Sequence, residues 1–339
     1  MYHFCTYFDR NYLSRGLALH QSLQRHCPES ILWVLCMDTA VHQILLDLSL
    51  PSLNPISLEV FELGDAPLHA AKQNRSRVEY YFTCTPSLPL YVFNHSTDVD
   101  LVTYIDADLF FFSDPTPLFE ELAGSSVAII GHRFPPHLRH LETHGIYNVG
   151  WLSFRRDENG LACLRWWRDR CIEWCYDRLE GNRYGDQKYL DDWPQRFRGV
   201  RVLDHKGANL APWNVTNYSL RFEAGQILVD EQPLLFFHFH GLKEVFPYVF
   251  DTNLKPYGGG SIPLLKPLVY RPYLRELYST YKVIPTGVTL PISTGLRDQK
   301  SRTETHPLGS RIWGHVLRVN NVIKQVVNGC YLVHIARSH

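Results

Sequence analysis

The sequence has no apolar run long enough to span a membrane, and its opening, Met1 to Arg10, lacks the basic segment and following apolar stretch of a secretory leader. These two absences lead to the expectation of a cytoplasmic protein. None of the eight cysteines, at 5, 27, 36, 84, 163, 171, 175 and 330, stands in a C-x-x-C pair, and several lie within apolar segments. Buried thiols in a reducing compartment are therefore expected, rather than a disulfide framework or a zinc site. There is no G-x-G-x-x-G turn and no G-x-x-x-x-G-K-[ST] loop, which disfavours a Rossmann dehydrogenase and a P-loop enzyme. Excess charge is also missing. Lys plus Arg and Asp plus Glu both number 34, so the chain as a whole advertises neither a nucleic-acid partner nor an acidic one.

What is present is a chain of 339 residues, 45% hydrophobic and 13% aromatic, enough to bury a large core with a smaller appendage. The balanced charge hides an asymmetry. Residues 251–339 hold twelve Lys and Arg against four Asp and Glu, net +8, which leaves net −8 for residues 1–250. Beyond about Val245 the texture turns Gly-, Pro- and Ser-rich, so residues 251–339 are read as a basic, partly helical extension of the unit 1–250. Its last amphipathic stretch, Ile312 to Ile335, could lie on an anionic membrane leaflet, place the protein at the inner face of a membrane and bring it to an acceptor. The plainer alternative is that it packs on residues 1–250.

The N-terminal part alternates strands and helices. Tyr2 to Thr6 reads as a strand, Asp9-Arg10-Asn11-Tyr12 as a loop, Leu13 to Arg25 as a helix and Ile31 to Cys36 as a second strand. This is the opening of a doubly wound α/β sheet, whose first loop commonly meets a nucleotide. Val41 to Leu50 reads as a helix, Ser57 to Leu63 as an alternating strand, and Asn74 to Thr85 as a helix stopped by Pro86 and carrying Arg75 and Arg77. Val127 to Ile130 is a strand. Gly145 to Phe154 is another, interrupted by Asn148 and Gly150, and a strand glycine often marks a bulge or a close approach to the backbone. Leu161 to Leu179 reads as a helix whose Trp167 and Trp174 belong to the core.

The stretch that organises the rest is Leu101 to Pro115, L-V-T-Y-I-D-A-D-L-F-F-F-S-D-P. Val102, Tyr104 and Ile105 favour a buried strand, and residues two apart in an extended chain point the same way. Asp106 and Asp108 would then present two carboxylates at the C-terminal end of a strand, where open α/β sheets bind ligands. Paired carboxylates suit Mn²⁺ or Mg²⁺, which can clamp a diphosphate and neutralise it as it leaves. His238 and His240 end a second β-rich run, and a distant imidazole can complete such a site.

In these blocks the chain resembles the GT-A glycosyltransferases of glycosyltransferase family 8, which include glycogenin and bacterial lipopolysaccharide galactosyltransferases, over residues 3–243. The family's Y-L-D-A-D is matched by Tyr104-Ile105-Asp106-Ala107-Asp108, which implies metal ligation by Asp106 and Asp108 with Ala107 between them. F-N-A-G is matched by Tyr147-Asn148-Val149-Gly150, so Asn148 would contact the transferred sugar. D-Q-D is matched by Asp186-Gln187-Lys188, placing Asp186 on the sugar and Gln187 beside the anomeric carbon. H-x-x-G is matched by His238 to Gly241, which makes His238 rather than His240 the third metal ligand and puts Gly241 and Lys243 at the diphosphate. D-x-N-Y is matched by Asp9 to Tyr12, so Asp9 and Asn11, with Thr6 and Tyr7 beside them, would meet the base. The chain departs from the family in three places. Its Y-x-R is replaced by Tyr80-Tyr81-Phe82-Thr83, with Arg77 or Arg75 a turn earlier; D-Q-K replaces D-Q-D; and Lys243 comes one residue early without the following P-W.

The resemblance implies a GT-A doubly wound mixed sheet with flanking helices. It also implies a Mn²⁺- or Mg²⁺-dependent transfer of a sugar from a nucleotide diphosphate, UDP-sugar foremost, to a hydroxyl of a glycan, glycolipid or other acceptor, with retention. Three rivals are a haloacid-dehalogenase-type phosphatase, whose D-x-D normally lies near the N-terminus before Gly-Thr; a sugar-nucleotide pyrophosphorylase, which needs a Gly-rich, basic loop after the first strand where Thr6 to Tyr12 has no Gly; and a nucleotide-sugar binder without catalysis. The sugar, the acceptor and the oligomeric state are not legible in the sequence.

Overall fold

The computed structural model describes residues 1–246, 248–281, 283–284 and 331–333. The strands are β1 (Tyr2–Phe8), β2 (Ser30–Cys36), β3 (Leu53–Ser57), β4 (Leu101–Ile105), β5 (Leu109–Phe111), β6 (Val127–Gly131), β7 (Tyr147–Arg155) and β8 (Val200–Leu203). The later strands are β9 (Leu220–Glu223), β10 (Gln226–Val229), β11 (Gln232–Pro233), β12 (Phe236–His238), β13 (Lys243–Phe246), β14 (Val249–Asp251) and β15 (Tyr331–Val333). The helices are α1 (Leu13–His26), α2 (Thr39–Leu48), α3 (Leu58–Leu63), α4 (Ala66–Ala71), α5 (Arg77–Cys84), α6 (Ser87–His95), α7 (Thr116–Leu122), α8 (Glu158–Glu173), α9 (Trp193–Arg196) and α10 (Arg271–Tyr281).

Seven strands form the central sheet in the order β3-β2-β1-β4-β7-β6-β8. Only β7 runs antiparallel to its neighbours β4 and β6; the other pairings are parallel. Alternation along the strands sorts the core into two layers. Phe4, Leu32, Val34, Ile105, Ala128, Ile130 and Trp151 face α1, α2 and α7. Cys5, Leu35, Val102, Tyr104, Ile129, Leu152 and Phe154 face α5, α6 and α8. This mixed, doubly wound sheet with helices on both faces is the architecture expected from the sequence.

A third cluster joins Phe110 and Phe237 to residues beyond 250, including Leu254, Tyr270, Tyr273 and Leu274. Helix α10 lies against α1, with the Arg25 guanidinium 2.9 Å from the Glu276 carboxylate. The expected division at 250/251 runs through β14, and this cluster holds residues from both sides of it. No described helix is long and apolar enough to cross a membrane. The amphipathic reading of Ile312 to Ile335 lies outside the described residues, apart from Tyr331–Val333. Those three form a strand on β14. The seven cysteines among the described residues are free and buried.

Two segments differ from expectation. Ser57 to Leu63 is not a strand: β3 stops at Ser57, whose hydroxyl accepts from the Val60 N–H and caps α3. Helix α8 ends at Glu173 rather than Leu179, because Trp174 turns extended (φ −152°); Trp174 stays buried while Leu179 is exposed.

Candidate active site

Strand β4 delivers the acidic pair. It ends at Ile105, the Asp106 N–H bonds the Gly150 carbonyl on β7, and the Leu109 N–H bonds back to the Asp106 carbonyl. The chain thus turns over Asp106-Ala107-Asp108 and sets off again as β5. Strand β12 then pairs antiparallel with β5, with His238 opposite Leu109, while the Phe239 N–H donates to the Asp108 carbonyl at 2.9 Å. This short ladder carries His238 to the pair. His238 Nε2 lies 3.1 Å from Asp108 Oδ1 and 3.6 Å from Asp106 Oδ2. His240 is exposed and outside the cluster.

Burial pushes the Asp106 carboxyl up to about 6, an effect that His238 opposes and the neighbouring Asp108 charge reinforces. Burial also works against charge on Asp108, but the His238 imidazole overrides it and holds that carboxyl at about 2. For His238 itself, burial is outweighed by Asp108 and the imidazole pKa is raised. Two acids and one imidazole are therefore crowded into a site that favours positive charge. One ligand atom from each of Asp106, Asp108 and His238 lies within 4.8 Å of the others. His238 Nδ1 is buried with no hydrogen-bond partner among the described residues. The oxygen and imidazole donors fit a hard or borderline divalent cation.

Around this cluster the distant blocks converge. Asn148 and Gly150 lie on β7, where the register with β6 shifts between Ile129 and Ile130. The Gly150 N–H donates to Asn148 Oδ1 at 3.1 Å. A Cβ on Gly150 would fall 2.5 Å from Asn148 Oδ1 and 3.0 Å from the His238 ring. The glycine leaves room beside β7 for both side chains. Asp186 is buried within electrostatic reach of Asp106, and burial pushes its carboxyl up to about 7 despite a hydrogen bond from Thr85. Gln187 donates through Nε2 to the His144 carbonyl. It packs on Gly145, where φ is +141° and a Cβ would lie 2.9 Å from Gln187 Cγ. Lys188 pairs with Asp191 at 2.7 Å. Tyr7 and Tyr104 stand beside the acids: their rings are 5.8 Å apart, and the Tyr104 hydroxyl donates to Asp106 Oδ1.

The Asp9 loop is arranged differently. Its carboxylate is 1% exposed and takes four donors: the Asn11 N–H (2.8 Å), Asn11 Nδ2 (3.2 Å), Arg77 (2.6 Å) and the Tyr81 hydroxyl (3.3 Å). Arg77 is placed by α5, whose Ser76 and Glu79 form a reciprocal capping box. Arg75 instead points to the Ile172 carbonyl and stacks on Tyr176. Thr6 is buried in β1 opposite Val34, and its hydroxyl has no partner among the described residues. Gly241 has φ +70°, and a Cβ there would lie 2.2 Å from Asn253 Nδ2; Lys243 opens β13 opposite Asp251.

Sequence reasoning assigned no role to Thr85, Tyr81, His132 or Trp213. Trp213 packs edge-on against both His238 and His240, at 5.0 and 5.4 Å between ring centroids. The signal available was the P-W-N at 212–214 and the H-R-F-P-P-H at 132–137, polar and aromatic residues outside the regular elements, the second directly after the buried strand β6.

No known family profile matches the sequence. Among solved structures of similar arrangement are a galactosyltransferase, LgtC, in complex with donor and acceptor sugar analogs, and mouse xyloside xylosyltransferase 1. LgtC is 15% identical, covering 82% of this chain and 95% of its own, with a TM-score of 0.49. The xylosyltransferase is 14% identical, covering 71% and 98%, with a TM-score of 0.45. Two Bacillus subtilis (strain 168) proteins, both uncharacterized, are much nearer in sequence. YfnD is 32% identical over 279 residues, 81% of this chain and 88% of YfnD. YfnF is 33% identical over 250 residues, 71% of this chain and 82% of YfnF. At this identity and coverage, the chain belongs to the family of YfnD and YfnF.

Proposed function

We propose that the protein is a metal-dependent, retaining GT-A glycosyltransferase of the family 8 type, moving a sugar from a nucleotide diphosphate, a UDP-sugar foremost, to an acceptor hydroxyl. The observation that carries this reading is the meeting of Asp106, Asp108 and His238, from positions far apart in the chain, at the end of β4. Four of the five sequence blocks that suggested the activity, all but the Asp9 to Tyr12 loop, lie around that cluster.

In this reading Asp106, Asp108 and His238 hold Mn²⁺ or Mg²⁺. The bound cation supplies charge that stabilises the departing diphosphate. Lys243 and Gly241 are assigned to the phosphates, and Asp9, Asn11, Thr6 and Tyr7 to the nucleoside. Arg77, held on Asp9, is assigned to a phosphate or sugar contact on the donor and to aiming that carboxylate. Asn148 and Asp186 orient the sugar, and Gln187 stands at the face of the anomeric carbon. We assign no carboxylate the role of nucleophile, and on this reading the acceptor attacks from the leaving-group side while a diphosphate oxygen takes its proton. The acceptor is a glycan, glycolipid or other hydroxyl compound, and peripheral contact with an anionic membrane belongs to the same proposal.

The test is a panel of nucleotide sugars incubated with the protein and Mn²⁺, read as release of free nucleoside diphosphate, because transferases commonly leak donor to water. Release from one donor, abolished by chelation and restored by Mn²⁺, supports the reading. Release of inorganic phosphate from phosphate esters, with nucleotide sugars left intact, would replace it with a phosphatase. Saturable donor binding without release would leave a silent binder.

A further inference from the structure

We infer that His132 is a positioning residue that fixes the Asn148 amide and, through Trp213, the ring of His238. The chain of contacts starts at Gly150. Its N–H needs an acceptor and finds Asn148 Oδ1 at 3.1 Å, which settles the orientation of the amide. Asn148 Nδ2 then faces His132 Nε2 at 3.2 Å and can only donate, so Nε2 must be the unprotonated nitrogen. The proton of the ring therefore sits on Nδ1, which lies 3.3 Å from the Ile146 carbonyl. Each contact in the chain has one donor and one acceptor only with a neutral, Nδ1–H imidazole at position 132.

The surroundings enforce that state. His132 is 6% exposed, its ring stacks on Phe134 at 4.8 Å, and Trp213 meets it edge-on at 5.4 Å. Burial pushes its pKa down to about 3, and the neighbouring His238 and His240 act in the same direction. Its carbonyl accepts from Trp213 Nε1 and from Asn214 Nδ2, both at 2.9 Å. Trp213 is thereby anchored between His132 and His238, with ring centroids 5.0 Å apart on the latter side. A protonated or reversed ring at 132 would repel the Asn148 amide, turn it over and leave the Gly150 N–H facing another N–H. His132 touches neither of the acids and lies outside the Asp106–Asp108–His238 cluster, so its effect on the site passes through Asn148 and Trp213.

The decisive experiment is side-chain NMR of the full chain labelled with ¹⁵N-histidine, combined with Mn²⁺ titration of His132→Phe and His132→Gln. For His132 we expect the Nδ1–H tautomer with no titration between pH 5 and pH 8. The Nε2–H tautomer, or ordinary titration in that range, would overturn the inference whatever the site binds. The metal arm rests on the proposed function. Where the wild type binds Mn²⁺, His132→Phe should weaken binding roughly tenfold, the scale of outer partners of metal ligands. His132→Gln, whose Oε1 can accept from Asn148 in place of Nε2, should recover most of that loss. Equal Mn²⁺ affinity in wild type and a folded His132→Phe would overturn the positioning role. Absence of Mn²⁺ binding by the wild type would instead remove the metal reading, leaving the tautomer to decide for His132. Circular dichroism on both variants separates misfolding from mispositioning.

Discussion

Two acidic loops meet at the C-terminal edge of the sheet, and their electrostatics are opposite. At Asp9 a single carboxylate is surrounded by four donors, one of them the Arg77 guanidinium. At Asp106 and Asp108 two carboxylates share one imidazole and one tyrosine hydroxyl, and burial has already pushed Asp106 up to about 6. The first loop is complete without a ligand. In the second, His240 and Arg15 act on Asp108 through space, yet the two buried acids have only one hydrogen-bonded imidazole between them, and a ligand that brings positive charge to Asp106 gains most there. A buried acid is thus a poor guide to function by itself; what its oxygens already hold separates a carboxylate fixed in place, as at Asp9, from one awaiting a cation.

The sharpest way to break the contrast is to delete the underpaired acids. Asp106→Ala or Asp108→Ala should lower metal-dependent nucleoside diphosphate release by roughly three orders of magnitude while leaving the fold intact, since metal stabilisation of the leaving group amounts to several kcal/mol. His238→Ala should follow them and His240→Ala should not; a larger loss at His240 would show that the wrong histidine was chosen. Gln187→Ala should cost on the order of 100-fold, mainly in kcat, because a group at the anomeric carbon acts on the transition state. Full kcat in that variant would remove Gln187 from the reaction. Gly150→Ala drives a methyl into Asn148 and His238, and should cost about 1–3 kcal/mol in stability, together with weaker Mn²⁺ binding. Calorimetry with and without metal reads both.

On the saturated side, the expected effects are smaller. Arg77→Ala removes a half-exposed partner from buried Asp9 and should cost roughly 1 kcal/mol of stability and raise KM for the donor, with kcat little changed. A collapse of kcat would mean the two loops are not distinct in role. The last test uses pH. The Asp186 carboxyl is pushed up to about 7 in the folded chain by burial, so the folded state binds more protons than the unfolded one between about pH 4 and pH 7. Stability from this group is therefore present at acid pH and lost as pH rises through 7. Asp186→Asn should flatten that decline, by up to a few kcal/mol near pH 8. Parallel denaturation curves at pH 5 and pH 8 for wild type and variant would show that Asp186 is not the source.

Much of the site was legible because it is built on local signals. The run from Leu101 to Asp108 reads as a strand followed by paired acids, and a buried strand with a turn over both acids is what forms. Leu13 to Arg25 shows its helical stripe plainly. The failures have physical causes. Leu58, Val60, Phe61 and Leu63 fit a strand as well as one turn and a half of helix, and the Ser57 cap decides between them. Trp174 and Cys175 are buried like the helix before them, so hydrophobicity cannot mark where α8 stops. Helix α6, directly after Pro86, went unread because the proline that was taken to end one helix also opens the next. His132 and Trp213 were missed for another reason: their roles lie in contacts between residues far apart in sequence, to which periodicity is blind.

The ladder between β5 and β12 places Leu109 opposite His238, so the third vertex of the acidic cluster comes 130 residues after Asp108 in the chain (238 − 108). Such a pairing forms only after a long loop has closed, which is entropically slow. A chain emerging from the ribosome would fold β1, α1 and β2 well before His238 has been synthesised. During that interval Asp106 and Asp108 stand without their imidazole. On the proposed metal reading, the Asp106–Asp108–His238 cluster therefore reports completion: a truncated or half-folded chain has the acids but not the geometry. The appearance of tight Mn²⁺ binding during refolding would time the closure of β12 onto β5 rather than the formation of the sheet itself.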